Sequence, residues 1–314
     1  MKKTLALILV LCMALALCAC GGSAKKELAF TTGGDQGTYY AFGGVMAQKI
    51  SETTGTKVTA ITSGGSKANI EALQANDAQF GFVQSDVMAY AYKGTRLFEK
   101  AVTDFSTVAA LYMEQVQIVT LDPAIKTVAD LKGKNVSIGA AGSGVYFNAI
   151  DVLGVYGLSE TDINPTYQSF GDSVEALQDG KIDAAFVVAG APTNAVTSLA
   201  TTKKVYLVSL DDEHIDALIA GSPYYTKYVI PADVYGTDED ATTVAVGAVV
   251  IARDDVSDED VYNFVSAVFG NLDNLAHAKA AEVNLEFATS VTDVPYHSGA
   301  ANYFAEQGYV VPIK

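Results

Sequence analysis

Two periods of hydrophobic and polar positions alternate along this chain. Leu28-Ala-Phe-Thr31, Val58-Thr-Ala-Ile61 and Gln79-Phe-Gly-Phe-Val83 are short apolar runs of strand type. A segment of helical spacing follows each one: Tyr39 to Thr53, Ser66 to about Ala75, and a third after Ser85. Such βαβα order predicts parallel strands with helices on both faces. The pattern then returns. Val136-Ser-Ile-Gly139 reads as a strand, Gly142-Ser-Gly144 turns into a helix over Val145 to Tyr156, Phe170-Gly-Asp-Ser173 opens another helix, and Ile182 to Val187 reads as a strand.

The words echo as well as the pattern. Gly37-Thr-Tyr-Tyr40 is answered by Gly144-Val-Tyr-Phe147, Glu71-Ala-Leu-Gln74 by Glu175-Ala-Leu-Gln178, and Asp77-Ala-Gln-Phe80 by Asp183-Ala-Ala-Phe186. An array of small repeats would recur every 20–50 residues. This pattern recurs once, at roughly twice that spacing, so two similar lobes are expected. The first is placed over 27–115 plus 210–314 and the second over 116–209, with crossing strands near Tyr112–Thr120 and Val205–Ser209. Thr127-Val-Ala-Asp130 and Ser257-Asp-Glu-Asp260 read as helix starts of capping-box type. The acidic stretch Asp254 to Asp260 lacks the order and closing Glu of a calcium loop and fits helix capping better.

The N-terminus follows another rule. Lys2 and Lys3 precede an unbroken apolar run from Leu5 to Ala19, which suits a signal segment and is short for a membrane span. Leu17-Cys18-Ala19-Cys20 followed by Gly21-Gly22-Ser23 has the form of a lipobox, with Cys20 as the lipidated first residue after cleavage of 1–19 and with 20–26 as a tether. The alternative is an ordinary secretory signal cut near Ala19 or Ser23. All three cysteines lie at or before Cys20. The remainder therefore has no disulfide, thiol nucleophile or cysteine-based metal site.

Charge narrows the partners. The chain has 20 Lys plus Arg against 36 Asp plus Glu, a net charge of −16. That disfavours nucleic acid and a surface that adheres to anionic lipid. At 50% hydrophobic and 18% charged residues, the 314-residue chain is too apolar for a disordered protein.

Four glycine- or serine-rich turns lie between a strand and a helix: Gly33 to Tyr40, Ser63-Gly-Gly-Ser66, Gly142-Ser-Gly144 and Phe170 to Ser173. This is the end of an α/β sheet where ligands bind. Glycine lets a backbone approach closely, and helix starts offer free N–H groups to an anion. Two facing lobes would aim all four at one cleft. No Walker loop or Gly-x-Gly-x-x-Gly order is present, so nucleotides are not indicated and no cofactor is expected. Arginine is nearly absent: Arg96 reads as solvated in a turn and Arg253 as structural. The expected readers of a ligand carboxylate are Thr38, Tyr39, Tyr40, Ser66 and Ser143. Lys67 reads as a solvated lysine. His214, His277 and His297 are isolated, and no nucleophile–base set stands out, so an enzyme is not expected.

Taken in order, Thr32 to Tyr40, Ser63-Gly-Gly-Ser-Lys-Ala-Asn69, Phe82-Val-Gln-Ser-Asp86, Ile138 to Gly144, Ala189-Gly-Ala-Pro192, Tyr228-Val-Ile-Pro231 and His297-Ser-Gly-Ala300 resemble the TAXI family. Its members are the solute receptors of one class of tripartite ATP-independent periplasmic (TRAP) transporters. The resemblance implies an α/β type II periplasmic-binding fold, two parallel-sheet lobes with a hinge and a ligand cleft. It implies closure on a small anionic organic solute, glutamate or glutamine or a related dicarboxylate or oxo acid, and delivery to the membrane subunits of a TRAP permease. Carried over to matching positions, Tyr39 and Tyr40 cover the ligand, Ser66, Asn69 and Gln84 bond it from lobe one, and Gly142, Ser143 and Gly144 meet it from lobe two. Thr38 and Pro192 complete the expected set. Lys67-Ala68, Val145-Tyr146 and Ser298 depart from the family pattern. The alternative is a binding protein of the same fold serving an ABC importer for sulfonates or a thiamine precursor.

Overall fold

The computed structural model describes residues 27–314. The expected signal segment, Cys20 and the tether lie outside the described residues. The first repeat runs β1 (Glu27–Thr31), α1 (Thr38–Thr53), β2 (Lys57–Ile61), α2 (Ser66–Gln74), β3 (Phe80–Gln84) and α3 (Ser85–Lys93). After β4 (Phe105–Thr120) the second runs β5 (Asn135–Ser137), α4 (Val145–Val155), β6 (Asn164–Thr166), α5 (Phe170–Gln178), β7 (Ala184–Ala189) and α6 (Asn194–Ala200). Then come β8 (Tyr206–Leu207), α7 (Asp212–Gly221), β9 (Thr226–Ile230), β10 (Ala241–Arg253), α8 (Asp258–Phe269), α9 (Leu285–Ala288) and α10 (Ser298–Glu306).

The strands form one sheet in the order β2-β1-β3-β10-β4-β7-β5-β6, with β9 against β10 and β8 against β4. The echoed words therefore mark equivalent places: β2-β1-β3 and β6-β5-β7 are the same parallel unit. The crossing strands are antiparallel to their neighbours, so each half-sheet is mixed and only its outer strands are parallel. Helices cover both faces. That is why β3 and β7 are buried at every position and read as unbroken apolar runs.

Two long strands join the lobes. In β4, residues 105–115 pair with β10 and residues 115–120 pair with β7. In β10, Ala248–Ala252 pair with β3, and Ala241–Ala245 pair with β9. The chain passes between lobes where Met113 faces Gly247 and Glu114 faces Val246. The first crossing lies where the sequence placed it. The second does not. Val205–Ser209 contributes only the short β8, which pairs with β4 at Val119 and Thr120 inside the second lobe. Ile215, Leu218, Tyr225, Val244 and Val246 pack with Val136, Ile138 and Phe186, so the boundary expected at 209/210 moves to β10. The first lobe takes α8 and α10 through Phe264, Val265, Tyr303 and Phe304.

The expected helix starts are real. Thr127 and Asp130 form a reciprocal capping box, and Ser257 accepts from the Asp260 N–H with Asp258, Glu259 and Asp260 in the first turn. Arg253 pairs with Asp255.

Asn69, expected to touch ligand, is fully buried on α2 and ties the first lobe together. Its Oδ1 accepts from the Thr31 hydroxyl at 2.7 Å, and its Nδ2 donates to the carbonyls of Thr32 and Phe82, both at 2.6 Å. Asn69→Ala leaves two carbonyls and a hydroxyl without partners, each a loss of about 1 kcal/mol or more. Urea unfolding should show a loss of about 3 kcal/mol, with solute affinity nearly unchanged well below the transition. A loss of affinity at unchanged stability would make Asn69 a ligand contact instead.

Candidate functional site

A cavity of about 70 Å³ lies between the lobes, and four helix starts converge on it: Gly37–Thr38 of α1, Gly65–Ser66 of α2, Gly144–Val145 of α4 and Ser169–Phe170 of α5. The first three begin on glycine without a side-chain cap and carry no acid in the first turn. Two helices away from the cavity, α7 and α8, are built differently: they are capped by Asp211 and Ser257 and open with acids. The three uncapped starts thus keep their partial positive charge for whatever sits between them. At about 10–15 Å³ per water-sized group, the cavity suits a metabolite of a few such groups.

The acceptor side of the cavity comes from the hinge. Glu114 lines the cavity from β4 at the point where the chain changes lobes, and it is 2% exposed. The Tyr39 hydroxyl donates to its Oε2 at 2.6 Å. Burial pushes the Glu114 carboxyl up to about 8, against the pull of that bond and of Lys279. The Tyr39 ring stacks on Phe82 with centroids 4.5 Å apart, which fixes the hydroxyl over the carboxylate. Tyr39 and Glu114 are the titratable side chains of the wall, and no lysine or arginine lines it. Two further polar atoms in the wall have no protein partner: Gln84 Oε1 and Ser143 Oγ. Ser66 Oγ accepts from the Gln84 N–H at 3.1 Å.

The lobes touch around this space. The Ala68 N–H donates to the Gly142 carbonyl at 3.0 Å, the Thr38 hydroxyl to the Gly190 carbonyl at 2.9 Å, and the Ala195 N–H to the Gln36 carbonyl at 3.2 Å. The contact needs bare backbone. A Cβ on Gly144 would lie 1.4 Å from Gln84 Oε1, and one on Gly64 would lie 2.9 Å from the Ala141 carbonyl.

The pattern of the NMT1-like family matches residues 30–308 of this chain. The chain belongs to the NMT1-like family. Its fold is that of periplasmic solute-binding proteins. It superposes on the alkanesulfonate-binding protein SsuA from Xanthomonas axonopodis pv. citri bound to MOPS (17% identity, 91% of this chain and 92% of that chain, TM-score 0.52). It also superposes on MatC from Rhodopseudomonas palustris with bound malate (15% identity, 81% and 86%, TM-score 0.57).

In this NMT1-like chain the structure brings together six of the ten expected ligand residues: Thr38, Tyr39, Ser66, Gln84, Ser143 and Gly144 all line the cavity. The other four lie elsewhere. Tyr40 is 37% exposed on the outer side of α1, and Asn69 is the clamp described above. Gly142 clasps Ala68 and lines a separate outer groove with Lys67 and Tyr167. Pro192 is exposed beyond Gly190. Of the family departures, Val145 is in the cavity wall, while Tyr146 bonds Glu160 and Lys67 pairs with Glu71. Arg96 is exposed in its turn, as expected, and it also pairs with Asp151 at 2.7 Å and lies over the rings of Tyr90 and Phe147.

Glu114 was missed. Its signal was present, since it is the lone charge in the sixteen residues of β4. A buried acid in an apolar strand needs a reason. No cluster of three or more His, Cys, Asp or Glu among the described residues is placed to hold a metal, and no described helix is long and apolar enough to cross a membrane.

Gly144 has ordinary helical dihedrals, φ −72° and ψ −23°. Alanine fits that backbone and collides with Gln84, and closely approaches Ser66 Oγ at 3.0 Å, both across the lobe contact of the closed form. Gly144→Ala should therefore keep the melting temperature of the ligand-free protein within about 2 °C and abolish the rise that solute produces. Small-angle scattering should show the wild type contracting with solute and the variant not.

Proposed function

We propose that this protein is an extracytoplasmic solute receptor of the TAXI type. It is lipid-anchored through Cys20, closes on a small amino-acid-like carboxylate, and delivers it to a TRAP permease. The observation that carries the reading is the cavity's divided polarity. Three uncapped helix starts and the Ser143 hydroxyl offer donors to a carboxylate, while Glu114 and Gln84 Oε1 offer acceptors to a cationic or N–H group. A zwitterionic amino acid, glutamate or glutamine among them, satisfies both sides. A dicarboxylate or oxo acid leaves the acceptor side facing oxygen. Each helix start contributes up to about 1 kcal/mol to an anion, so three together match one charged hydrogen bond from an arginine.

Capture follows from closure. Solute that bonds to both lobes binds the closed form better than the open one, and only that difference shifts the population. The closed pair of lobes is then the shape a permease would recognise.

A thermal-shift panel of amino acids, dicarboxylates, oxo acids and sulfonates on residues 24–314 tests the class. At a hundred times Kd a solute adds about 2.7 kcal/mol, a rise of several degrees. Amino acids should give it. A response to sulfonates alone would favour an ABC importer.

Proton linkage then separates the chemistries. In the closed form with no cation beside it, Glu114 keeps its proton up to about pH 8. A solvated glutamate loses it near about pH 4.3. Closure on a solute without a cationic group therefore takes up a proton at Glu114 near about pH 6–7, between those two values, and affinity falls as pH rises through that window. Closure on an ammonium takes up none there. Calorimetry in two buffers of different ionisation heat should find equal proton uptake for wild type and Glu114→Gln with the true solute, and the variant should bind about 10–100-fold more weakly. One extra proton in the wild type would identify an oxo acid or dicarboxylate.

A further inference from the structure

Behind the cavity lies a chain of polar groups, buried at its centre, of which the binding scheme above uses only the Gln84 oxygen. Gln84, Asp86 and Arg96 belong to the first lobe; Asn148, Asp151 and Tyr225 belong to the second. Asp86 and Asn148 are fully buried, and Gln84 and Tyr225 are 2% and 3% exposed. Every bond in the chain has a direction. Arg96 Nη2 donates to Asp151 Oδ1 at 2.7 Å, and the Tyr225 hydroxyl donates to Asp151 Oδ2 at 2.9 Å. With its one hydrogen committed, the Tyr225 oxygen can only accept. It accepts from Asn148 Nδ2 at 2.9 Å, and Asp86 Oδ2 accepts from the same nitrogen at 3.0 Å. Both amide hydrogens of Asn148 are thereby used, and its oxygen is turned to Gln84, whose Nε2 donates to it at 2.8 Å. What remains of Gln84, a residue of the cavity wall, is its oxygen, buried against Gly144 and without a protein partner.

We infer that this relay fixes Gln84 as a hydrogen-bond acceptor toward the solute, and that Asp86 and Asp151 are positioning residues for selectivity. The two ends of a carboxamide have the same shape and opposite polarity, so their orientation is set by their partners. The relay is anchored on the far side of Asn148 by two carboxylates, Asp86 directly and Asp151 through Tyr225, which pull donors toward themselves. The effect passes through two amides in series and emerges at the cavity as an acceptor. Protonation of Asp86 does not reverse it, because an acid holding its proton on Oδ1 still accepts on Oδ2. The groups facing Asp86 across the packed elements are Asn148, Asp151, Tyr90, Tyr225 and, through the hinge, Glu114. Because the relay crosses between lobes, it is complete only when they meet. Selectivity is then imposed at closure: a solute with an oxygen at this place would meet another oxygen, and one with an N–H would be bonded.

This inference rests on the amino-acid reading of the cavity, and two measurements separate them. The first uses L-glutamine, L-glutamate and 2-oxoglutarate by calorimetry. The pairs differ only in amide against carboxylate, or ammonium against carbonyl. In the double variant Asp86→Asn/Asp151→Asn, the new amide at position 86 offers a donor where the carboxylate accepted. The new amide at position 151 donates to the Tyr225 oxygen and frees its hydroxyl hydrogen. Asn148 turns round, and Gln84 presents its NH₂ to the cavity. The preference for the donor-bearing member should fall by about tenfold or more in the pair whose donor sits at Gln84. An equal loss for all three compounds is what a purely structural role gives, and it would overturn the selectivity role. The second measurement is neutron diffraction of the deuterated wild type in its closed form. Two deuterium atoms on the Gln84 atom nearest Asn148 support the relay, and deuterium on the atom over Gly144 overturns it. If none of the three compounds binds the wild type, the amino-acid reading fails, and the neutron map alone settles the polarity.

Discussion

Both lobes hang from the same antiparallel pair, β4 against β10, and the geometry of the cavity depends on it. Hydrogen bonds run along the pair from Arg253–Phe105 in the first lobe to Ala245–Gln115 at the edge of the second. The chain can bend there only about the short stretch where Met113 meets Gly247 and Glu114 meets Val246. Outside it, each strand is locked on its other edge by β3, β7 or β9. A hinge of two bonded strands permits rotation and resists sliding. The four helix starts therefore return to the same register each time the lobes meet, within the tolerance that bare backbone at Gly64 and Gly144 requires.

That register bears on how a protein with two arginines would meet the carboxylate of the proposed solute. The positive side of the cavity is backbone. A guanidinium would need a long side chain to be ordered at each closure, at a cost in rotamer freedom of about 1.5–2 kcal/mol. Helix starts are already ordered. The acceptor side is a carboxyl on the hinge itself, held by Tyr39 and kept out of water. Burial of an ionised carboxylate is costly without a partner, which is why Glu114 holds its proton so far above the usual range.

The repeat, the helix starts and the six wall residues were legible because they depend on local order. A glycine turn between strand and helix has the same meaning wherever it occurs. Polar residues whose function is decided by long-range burial were not legible. Asn69 follows the Ser-Gly-Gly-Ser motif by three residues in the first turn of α2, yet its amide is spent on bonds within the first lobe and it does not line the cavity. Pro192 and Tyr40 follow wall-forming segments in sequence and point away in space. Val205–Ser209 has strand composition, but only the pairing of β9 with β10 shows that the return to the first lobe comes later. Arg96 is exposed as its turn composition indicates, but its partner Asp151 is 55 positions away in the other lobe and leaves no local trace.

The place of the second crossing also bears on how the protein is made. The second lobe is one unbroken stretch, from the end of β4 to the start of β10. The first lobe is assembled from both ends of the chain: Tyr296 bridges Thr107 and Ile313, and Phe264 and Phe304 complete the cluster around Phe30 and Phe42. A contiguous unit closes short loops and can form early, whereas joining distant segments costs more chain entropy and is slower. The inserted lobe is thus poised to fold before the lobe that encloses it, and the ligand cavity, which needs walls from both, is the last part of the molecule to exist.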